Sequence, residues 1–354
     1  MLRLLAVTNL YPTPQTPSSG TFIEQQVKGL RQSGVDAEVM LVDRRQKGMR
    51  AYWGLGGQVS ARIADVRPDV VHVMYGGIMA DEVTRGVKNK PLVVSFCGED
   101  LLGEPLAGYR EVGRPVIGYL RKMVSEYGVW ASHRAARRAH RIIVKSKNLQ
   151  DALPQDVDRS KVQIIPNGID LERFKPVAQG EARRTLGWSA DRAVVLFVTV
   201  GGDPRKRLGL AQDAVAKIKC ERAVDFRIMS GVPHEQVPLW LNASDILLLT
   251  SFHEGGVNIV KEAMACNLPV VSVDVGDVRE RLTPVRSCVI TEPTPDALGS
   301  ALSDVLHRGG RSDGRNHLNA LTLSAVAAQL KQVYNLALSD CRTTPAYSLR
   351  AEKA

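Results

Sequence analysis

The sequence lacks the features that would support base stacking, a disulfide framework or a membrane span. Aromatic side chains make up only 5% of its 354 residues, which argues against a stacking platform for single-stranded nucleic acid. Five cysteines, an odd number without a Cys-x-x-Cys spacing, favour reduced thiols over disulfides or a zinc site. The longest apolar stretch, Ala193 to Val200, is far too short to cross a bilayer. We therefore expect a cytoplasmic protein.

A secretory leader and a dinucleotide fingerprint are also missing. The first ten residues hold one arginine and an apolar run that breaks at Asn9, which is typical of a strand and not of a signal peptide. No Gly-x-Gly-x-x-Gly opens either half of the chain, which disfavours a dehydrogenase or a nucleotide-sugar epimerase. The net charge of +10 is compatible with anionic small ligands, an anionic membrane surface or nucleic acid. Because the positive charge is scattered and aromatics are few, no nucleic-acid partner is expected.

Apolar, β-branched segments alternate with helical segments, the pattern of parallel sheets covered on both faces. The predicted strands are 2–8, 36–42, 70–74, 92–96, 141–144, 162–165, 194–199, 226–229, 245–250, 270–273 and 289–290. A Pro-Asn-Gly turn signal after the sixth strand divides the series. We predict two doubly wound α/β domains, residues 1–168 and 169–322, followed by a helix over 323–338 and a flexible tail over 339–354. Ligands of such sheets bind beyond the carboxyl ends of the strands, so the cleft between the domains is the expected site.

The most informative segment is SFHEGGVNIVKEAMACNLPVV. It follows an apolar strand, and Asn258 is a suitable N-cap for a helix that continues through VKEAMA. Glu254 then lies in the loop and Glu262 in the first turns of the helix. Gly255 and Gly256 let backbone N–H groups approach an anion at the helix N-terminus, while each carboxylate can accept hydrogen bonds from a vicinal diol. Such a site suits a ligand that carries phosphates and neutral hydroxyls.

This spacing resembles the Glu-x7-Glu signature of the family-4 retaining glycosyltransferases (glycosyl transferases group 1), nucleotide-sugar enzymes with the GT-B fold. The segments LLAVTNLYP, SSGTFIEQQVKGL, RPDVVHVMYG, KPLVVSFCGEDLLG and IIPNGIDLERFKP extend the resemblance over most of the chain. It implies two Rossmann-like domains, the first for the acceptor and the second for a nucleotide-diphosphate sugar, with the final helix packing back on the first. It implies no metal and no cofactor other than the donor substrate itself.

The resemblance assigns roles to the residues around the two glutamates. Glu262 accepts hydrogen bonds from the ribose hydroxyls. Glu254 and the backbone of Gly255, Gly256 and Val257 hold the hydroxyls of the donor sugar.

A basic loop, GGDPRKRLGL, follows the first strand of the second domain. Lys206 matches the family's lysine, which neutralises the departing diphosphate. Gly202 stands where the family has an arginine, so Arg205 or Arg207 would substitute for it. A solvated basic loop without a catalytic role is the alternative.

Further candidates rest on weaker signals. Gly20, in a Ser-Ser-Gly run before a helix, is predicted to approach a phosphate or sugar, with an ordinary helix cap as the alternative. Asn258 and Gly231 are expected among the donor-binding residues, with Gly231 at the edge of the nucleoside pocket, and Asp100 and Cys97 are expected to contact the acceptor or sugar. Cys97 stands where the family often has a histidine; a thiol lacks the basicity of imidazole, so that histidine's role is not transferred. His72 is expected to be a strand residue of the core.

Residues 110–141 are rich in arginine and also contain tyrosine and tryptophan. Such a segment could dock on an anionic membrane, as a lipid-linked acceptor would require. The alternatives are an exposed helical face and a pocket for a soluble anionic sugar.

The resemblance implies a retaining glycosyltransferase of polysaccharide or glycoconjugate biosynthesis. It would move a hexose or N-acetylhexosamine from a UDP-sugar to a glycan, lipid-linked or small-molecule acceptor. GDP-mannose-dependent mannosyl transfer is the first alternative; a non-transferase GT-B enzyme and a basic nucleic-acid-binding protein follow. The expected location is the cytoplasm, with peripheral contact at the inner face of the plasma membrane if the arginine-rich segment docks there.

Overall fold

A computed structural model of the protein describes residues 1–104, 115–219 and 223–343. In this part of the chain two parallel sheets are present, one of six strands and one of five. The strands are β1 (Arg3–Thr8), β2 (Asp36–Leu41), β3 (Val70–Val73), β4 (Leu92–Phe96), β5 (Arg141–Val144), β6 (Val162–Ile164), β7 (Ala193–Val198), β8 (Val224–Met229), β9 (Ile246–Leu249), β10 (Val270–Val273) and β11 (Val289–Thr291). Each predicted strand is thereby confirmed, with ends that differ by at most two residues.

Helices connect the strands in both halves. They are α1 (Thr21–Gln32), α2 (Arg44–Lys47), α3 (Leu55–Val66), α4 (Gly77–Gly86), α5 (Glu99–Leu102), α6 (Pro115–Arg138), α7 (Lys147–Asp151), α8 (Gln179–Leu186), α9 (Leu208–Lys219), α10 (Val237–Ala243), α11 (Asn258–Ala265), α12 (Val278–Leu282), α13 (Pro295–Arg308) and α14 (Leu323–Thr343). Short 3₁₀ turns lie at Gly48–Tyr52, Arg159–Lys161, Pro204–Lys206, Gly314–His317 and Asn319–Leu321.

The strand orders are those of doubly wound sheets. The first sheet runs β2-β1-β3-β4-β5-β6 and the second β11-β10-β9-β7-β8. Strands β3, β4 and β9 are buried at each position, as expected where helices cover both faces of a parallel sheet. Separate apolar clusters fill the two faces of the first sheet, and a third cluster forms the core around the second sheet. The predicted α/β fold class is confirmed.

The last helix, α14, packs against α1 and the first sheet. Its Tyr334 hydroxyl lies 2.9 Å from Nδ1 of the fully buried His72, whose Nε2 lies 2.7 Å from the Ser95 hydroxyl. Burial lowers the pKa of His72 to about 3, so the ring is neutral and the prediction of a core histidine is confirmed. Helix α14 continues to Thr343, five residues past its predicted end at 338, so the start of the predicted tail is helical; residues 344–354 lie outside the described residues.

Candidate active site

Loops at the carboxyl ends of both sheets meet in a cleft. Gly255 follows β9, and a Cβ atom added there would lie 2.2 Å from the carbonyl oxygen of Cys97, which follows β4. Beside this contact the Asn148 side chain donates to the Glu254 carbonyl oxygen at 2.9 Å. Glycine at position 255 was predicted because it lets an anion approach. The structure adds a steric reason, because any side chain there would push the domains apart.

Glu254 and Lys206, 48 residues apart in sequence, form an ion pair at the mouth of this cleft. Their side chains are 18% and 19% exposed. The Lys206 backbone is held by the Thr250 hydroxyl, which donates to its carbonyl oxygen at 2.6 Å. Burial alone would raise the pKa of Glu254, but Lys206 and Arg205 outweigh burial and lower it. In this state Glu254 is an ionised acceptor and Lys206 a compensated cation.

Arg205 lies beside this pair and joins the two domains. Its Nε donates to Asp203 Oδ1 at 3.0 Å, and its guanidinium also pairs with Glu99 of the first domain. Burial lowers the pKa of Arg205, while Glu254 acts in the opposite direction. The neighbouring Gly202 has a φ of 70° and an exposed backbone, so the position of the family's arginine carries no side chain here.

The N-terminus of α11 differs from the prediction. The N-cap is Val257, with φ of −85° and ψ of 96°, and Asn258 is the first helical residue. Asp277 Oδ1 accepts the Val257 N–H at 2.8 Å, while Asn258 Oδ1 accepts from the Asn167 side chain at 3.1 Å. The prediction of an Asn258 cap is wrong because Asn258 is already helical and its side-chain oxygen accepts from Asn167 instead of from the helix backbone. The Asp277 contact occupies the Val257 N–H, which is therefore not open to a sugar hydroxyl.

Glu262 lines a small cavity of about 90 Å³ between the domains. Its Oε1 lies 3.3 Å from Nε2 of His234, and both side chains are 14% exposed. Thr21, the first residue of α1, lines the opposite side of this cavity. Gly231 is exposed beyond the end of β8. His234, three residues later, lines the cavity, and the sequence did not predict this role.

Gly20 is the N-cap of α1 and adopts a left-handed conformation with a φ of 68°. A Cβ atom there would lie 2.4 Å from the carbonyl oxygen of Leu10. The backbone conformation and this close approach both require glycine, so Gly20 has a structural role whether or not a phosphate or sugar approaches the helix.

Asp100 is almost fully buried and joins the loops that follow β3 and β4. Its carboxylate accepts the N–H groups of Gly76 at 2.8 Å, Cys97 at 3.0 Å and Gly98 at 2.7 Å. Burial raises the pKa of Asp100, and these hydrogen bonds oppose the rise. Burial also raises the pKa of the Cys97 thiol to about 12. At neutral pH Cys97 is therefore a protonated thiol and no proton acceptor.

A larger cavity of about 510 Å³ opens in the first domain beside Asp100. It is lined by the aromatic rings of Tyr52 and Tyr75, by Glu99 of α5 and by Leu120 and Val124 of α6. Its volume lies within the range of small-molecule pockets.

Helix α6 carries an exposed apolar surface. Its exposed large apolar residues are Val116, Ile117, Tyr119, Leu120, Met123, Val124, Tyr127 and Trp130. No helix within the described residues is long and apolar enough to span a membrane.

The arginines at the end of α6 are engaged within the protein. Arg134 lies over the Trp130 ring at 4.6 Å and within 3.5 Å of Asp81, which also binds Arg138. Arg137 pairs with Asp156 at 2.7 Å. The rest of the arginine-rich segment up to residue 114 lies outside the described residues.

Both halves of the chain match families of known proteins. Residues 16–173 match the family described as Glycosyltransferase Family 4, and residues 184–308 match Glycosyl transferases group 1. The chain is built from two glycosyltransferase domains. The coarse prediction of a glycosyltransferase is thereby confirmed.

Relatives and solved structures agree with this assignment. The chain is 24% identical to a putative teichuronic acid biosynthesis glycosyltransferase of Bacillus subtilis, over 86% of this chain and 90% of the relative. It is 25% identical to a GDP-mannose-dependent α-mannosyltransferase of Mycobacterium tuberculosis, over 77% and 80%. Sucrose-phosphate synthase of Thermosynechococcus elongatus superposes with a TM-score of 0.70 at 18% identity, over 95% and 99%. Anabaena HepE in complex with UDP and glucose superposes with a TM-score of 0.61 at 17% identity, over 97% and 99%.

These superpositions show that the fold of this glycosyltransferase is GT-B, as predicted. Two buried cations of the cleft, Lys145 and Lys261, were not predicted from the sequence. Lys145 directly follows the buried β5, and Lys261 directly precedes Glu262 in an apolar helix. A lysine in such a run was the available signal, since lysines are rarely fully buried.

Proposed function

We propose that this protein is a retaining glycosyltransferase that uses a nucleotide-diphosphate sugar. The observation that carries the proposal is the Lys206–Glu254 ion pair at the cleft mouth, with Glu262 on the helix that follows. The Glu254 carboxylate, which can accept hydrogen bonds from sugar hydroxyls, lies beside the Lys206 ammonium, which can neutralise a diphosphate. Glu262 would accept hydrogen bonds from the ribose hydroxyls in the cavity that it shares with His234.

In this mechanism the bond between the anomeric carbon and the diphosphate oxygen breaks, and the acceptor oxygen bonds to the same face of the sugar. The acceptor proton passes to the departing phosphate oxygen, so no side-chain base is needed. Lys206, assisted by Arg205, stabilises the negative charge that grows on the diphosphate. Glu254 then exchanges its contact with Lys206 for the sugar hydroxyls and forms no covalent bond.

The base and the sugar of the donor are proposed from the likeness to other glycosyltransferases, because no single residue of this chain identifies them. A UDP-sugar is the first candidate, in line with the UDP and glucose bound by Anabaena HepE. GDP-mannose is the second, because one relative is a GDP-mannose-dependent mannosyltransferase. A panel of UDP- and GDP-sugars, scored by release of free nucleotide, decides between them. Absence of release and of binding for all members would refute the proposal.

Stereochemistry tests the mechanism separately. We expect the product to keep the anomeric configuration of the donor, as read from the anomeric proton signal of fresh product by NMR. An inverted anomer would contradict the retaining assignment. A trapped glycosyl–Glu254 adduct would leave the reaction in place and overturn only the front-face step.

We further propose that the acceptor is lipid-linked and reaches the 510 Å³ cavity from a membrane surface that contacts α6. Leu120 and Val124 line this cavity and also belong to the exposed apolar face. The three ion-paired arginines play a smaller part than the sequence suggested, since their charges are already compensated. The N-terminal half of α6 would supply apolar contact instead.

Co-sedimentation with anionic vesicles tests this contact. Met123 is 68% exposed, and Met123→Glu should weaken vesicle binding strongly. Arg137→Ala is the control on the same helix and should change it little. Equal binding by all three proteins would favour a soluble acceptor.

A further inference from the structure

Two buried lysines, one from each domain, lie at the floor of the cleft and have no part in the mechanism above. Lys145 follows β5, Lys261 lies in α11, and each is only 1% exposed. Lys145 donates to the side-chain oxygen of Gln26 at 3.4 Å. Among the residues that the structure describes, Lys261 Nζ has no hydrogen-bond partner, and neither lysine forms an ion pair.

Asp277 is the carboxylate with the largest electrostatic effect on Lys261, and other groups already bind it. Asp277 accepts the Val257 N–H at 2.8 Å and pairs with Arg281 at 3.0 Å. Burial lowers the pKa of Lys261 to about 8; Asp277 and Glu262 oppose this shift, whereas Arg281 and Lys145 add to it. The two carboxylates therefore compensate the Lys261 ammonium only in part.

Unsatisfied amide groups lie in the same region: Gln26 contacts Lys145, Gln25 lines the cavity of Lys261, and Asn167 contacts Asn258 of that cavity. Gln26 Nε2, Gln25 Oε1 and Asn167 Oδ1 are buried atoms that have no hydrogen-bond partner within the described residues. Gln25 and Lys261 line the same 90 Å³ cavity as Glu262. Buried polar groups are normally paired, so the cluster fits a ligand that brings an oxyanion to the donors and hydroxyls to the acceptors.

We propose that Lys261, Lys145 and Gln26 form an oxyanion subsite, which binds a phosphate or a carboxylate of the donor. A buried cation that no carboxylate contacts directly is unfavourable, and a bound oxyanion supplies that contact where low polarity strengthens the attraction. The donor's diphosphate and a uronic-acid carboxylate on its sugar share this chemistry. The subsite rests on the proposed function and adds a contact that the Glu-x7-Glu pattern does not contain.

Isothermal titration of the full-length protein tests the subsite. The ligands are uridine, UDP, UDP-glucose and UDP-glucuronate, or guanosine, GDP, GDP-mannose and GDP-mannuronate if the wild-type protein prefers guanine. Lys261→Met and Lys145→Met keep the length of the side chain and remove the charge. Lys217→Met is the matched control, because Lys217 is exposed on the second domain and pairs with Asp296.

We expect Lys261→Met to weaken binding of the anionic ligand by about 10- to 100-fold, with the affinity for the neutral nucleoside and the Lys217→Met control unchanged. A loss already present with the nucleoside diphosphate identifies the diphosphate as the bound group. A loss confined to the uronate-bearing donor identifies the sugar carboxylate.

Two results would overturn the subsite: unchanged affinity for each anion, or an equal loss for nucleoside and anions, which indicates a merely structural effect. Melting temperatures of the free variants show whether they fold, and Lys145→Met decides if Lys261→Met does not. A wild-type protein that binds neither nucleotide series would instead refute the proposed function.

Discussion

The cleft holds two pairs of cations, and only one pair has carboxylate partners. At the mouth of the cleft, called the rim from here on, Lys206 pairs with Glu254, and Arg205 pairs with Asp203 and Glu99. At the floor, Lys145 and Lys261 form no ion pair within the described part of the chain. The rim cations are each about one-fifth exposed, whereas the floor cations are buried.

This difference separates two tasks. A ligand must displace a carboxylate to reach a rim cation, so the rim gains most when new negative charge develops during the reaction. A floor cation gains a partner as soon as an anion binds, so it contributes to affinity in the ground state. Substitutions at the rim should therefore change turnover, and substitutions at the floor should change binding.

Replacement of Lys206 gives the largest expected effect. Lys206→Ala should lower kcat by about 100-fold or more, with a smaller change in donor KM, because charge on the diphosphate grows as the glycosidic bond breaks. Initial rates of nucleotide release measure both constants, with Lys217→Ala as the control. A raised KM with an unchanged kcat would make Lys206 a ground-state anchor and would abolish the distinction between rim and floor.

Removal of the Glu262 carboxylate should act on binding, as the floor cations do. Glu262→Ala should weaken nucleotide binding by about 1.5–3 kcal/mol, the cost of losing hydrogen bonds to a charged acceptor. Titration with UDP and GDP checks this, and the exposed Glu235→Ala serves as the control. If the affinity for both nucleotides is unchanged, the ribose role of Glu262 is wrong.

The contact between the domains can be tested at Gly255. Gly255→Ala places a Cβ atom 2.2 Å from the Cys97 carbonyl oxygen and should destabilise this closed arrangement by about 1–3 kcal/mol. We expect a lower melting temperature and weaker nucleotide binding. Gly209→Ala, where no atom lies within 4 Å of the added carbon, should leave both nearly unchanged. A Gly255→Ala protein as stable as wild type would indicate that the domains stand apart in solution.

The smallest expected effect concerns pH. The folded-state pKa of Glu254 is lowered, so its ionised form contributes stability above the unfolded pKa of about 4.3, and this contribution is lost as pH falls through the folded value. The melting temperature of wild type should therefore exceed that of Glu254→Gln most at neutral pH. The difference should shrink in acid. A difference independent of pH would argue against the ionised pair with Lys206.

The sequence by itself determined the strands, the two-domain plan and the placement of Glu254 in a loop and Glu262 on a helix. These features follow from the periodicity of apolar residues and from turn residues, which act over a few positions. The likeness of the motif to a known family extended the prediction to the type of reaction.

Only the tertiary structure decided which distant groups meet. Asp277 accepts the Val257 N–H at the start of α11, the Cys97 carbonyl oxygen lies against Gly255, and Asp81 pairs with two arginines of α6. Lys145 and Lys261 likewise come to the same cleft floor from different domains. Local patterns predict the conformation of a segment, but the partner of a polar group depends on how sheets and domains pack, and that packing joins residues that lie from 20 to more than 100 positions apart.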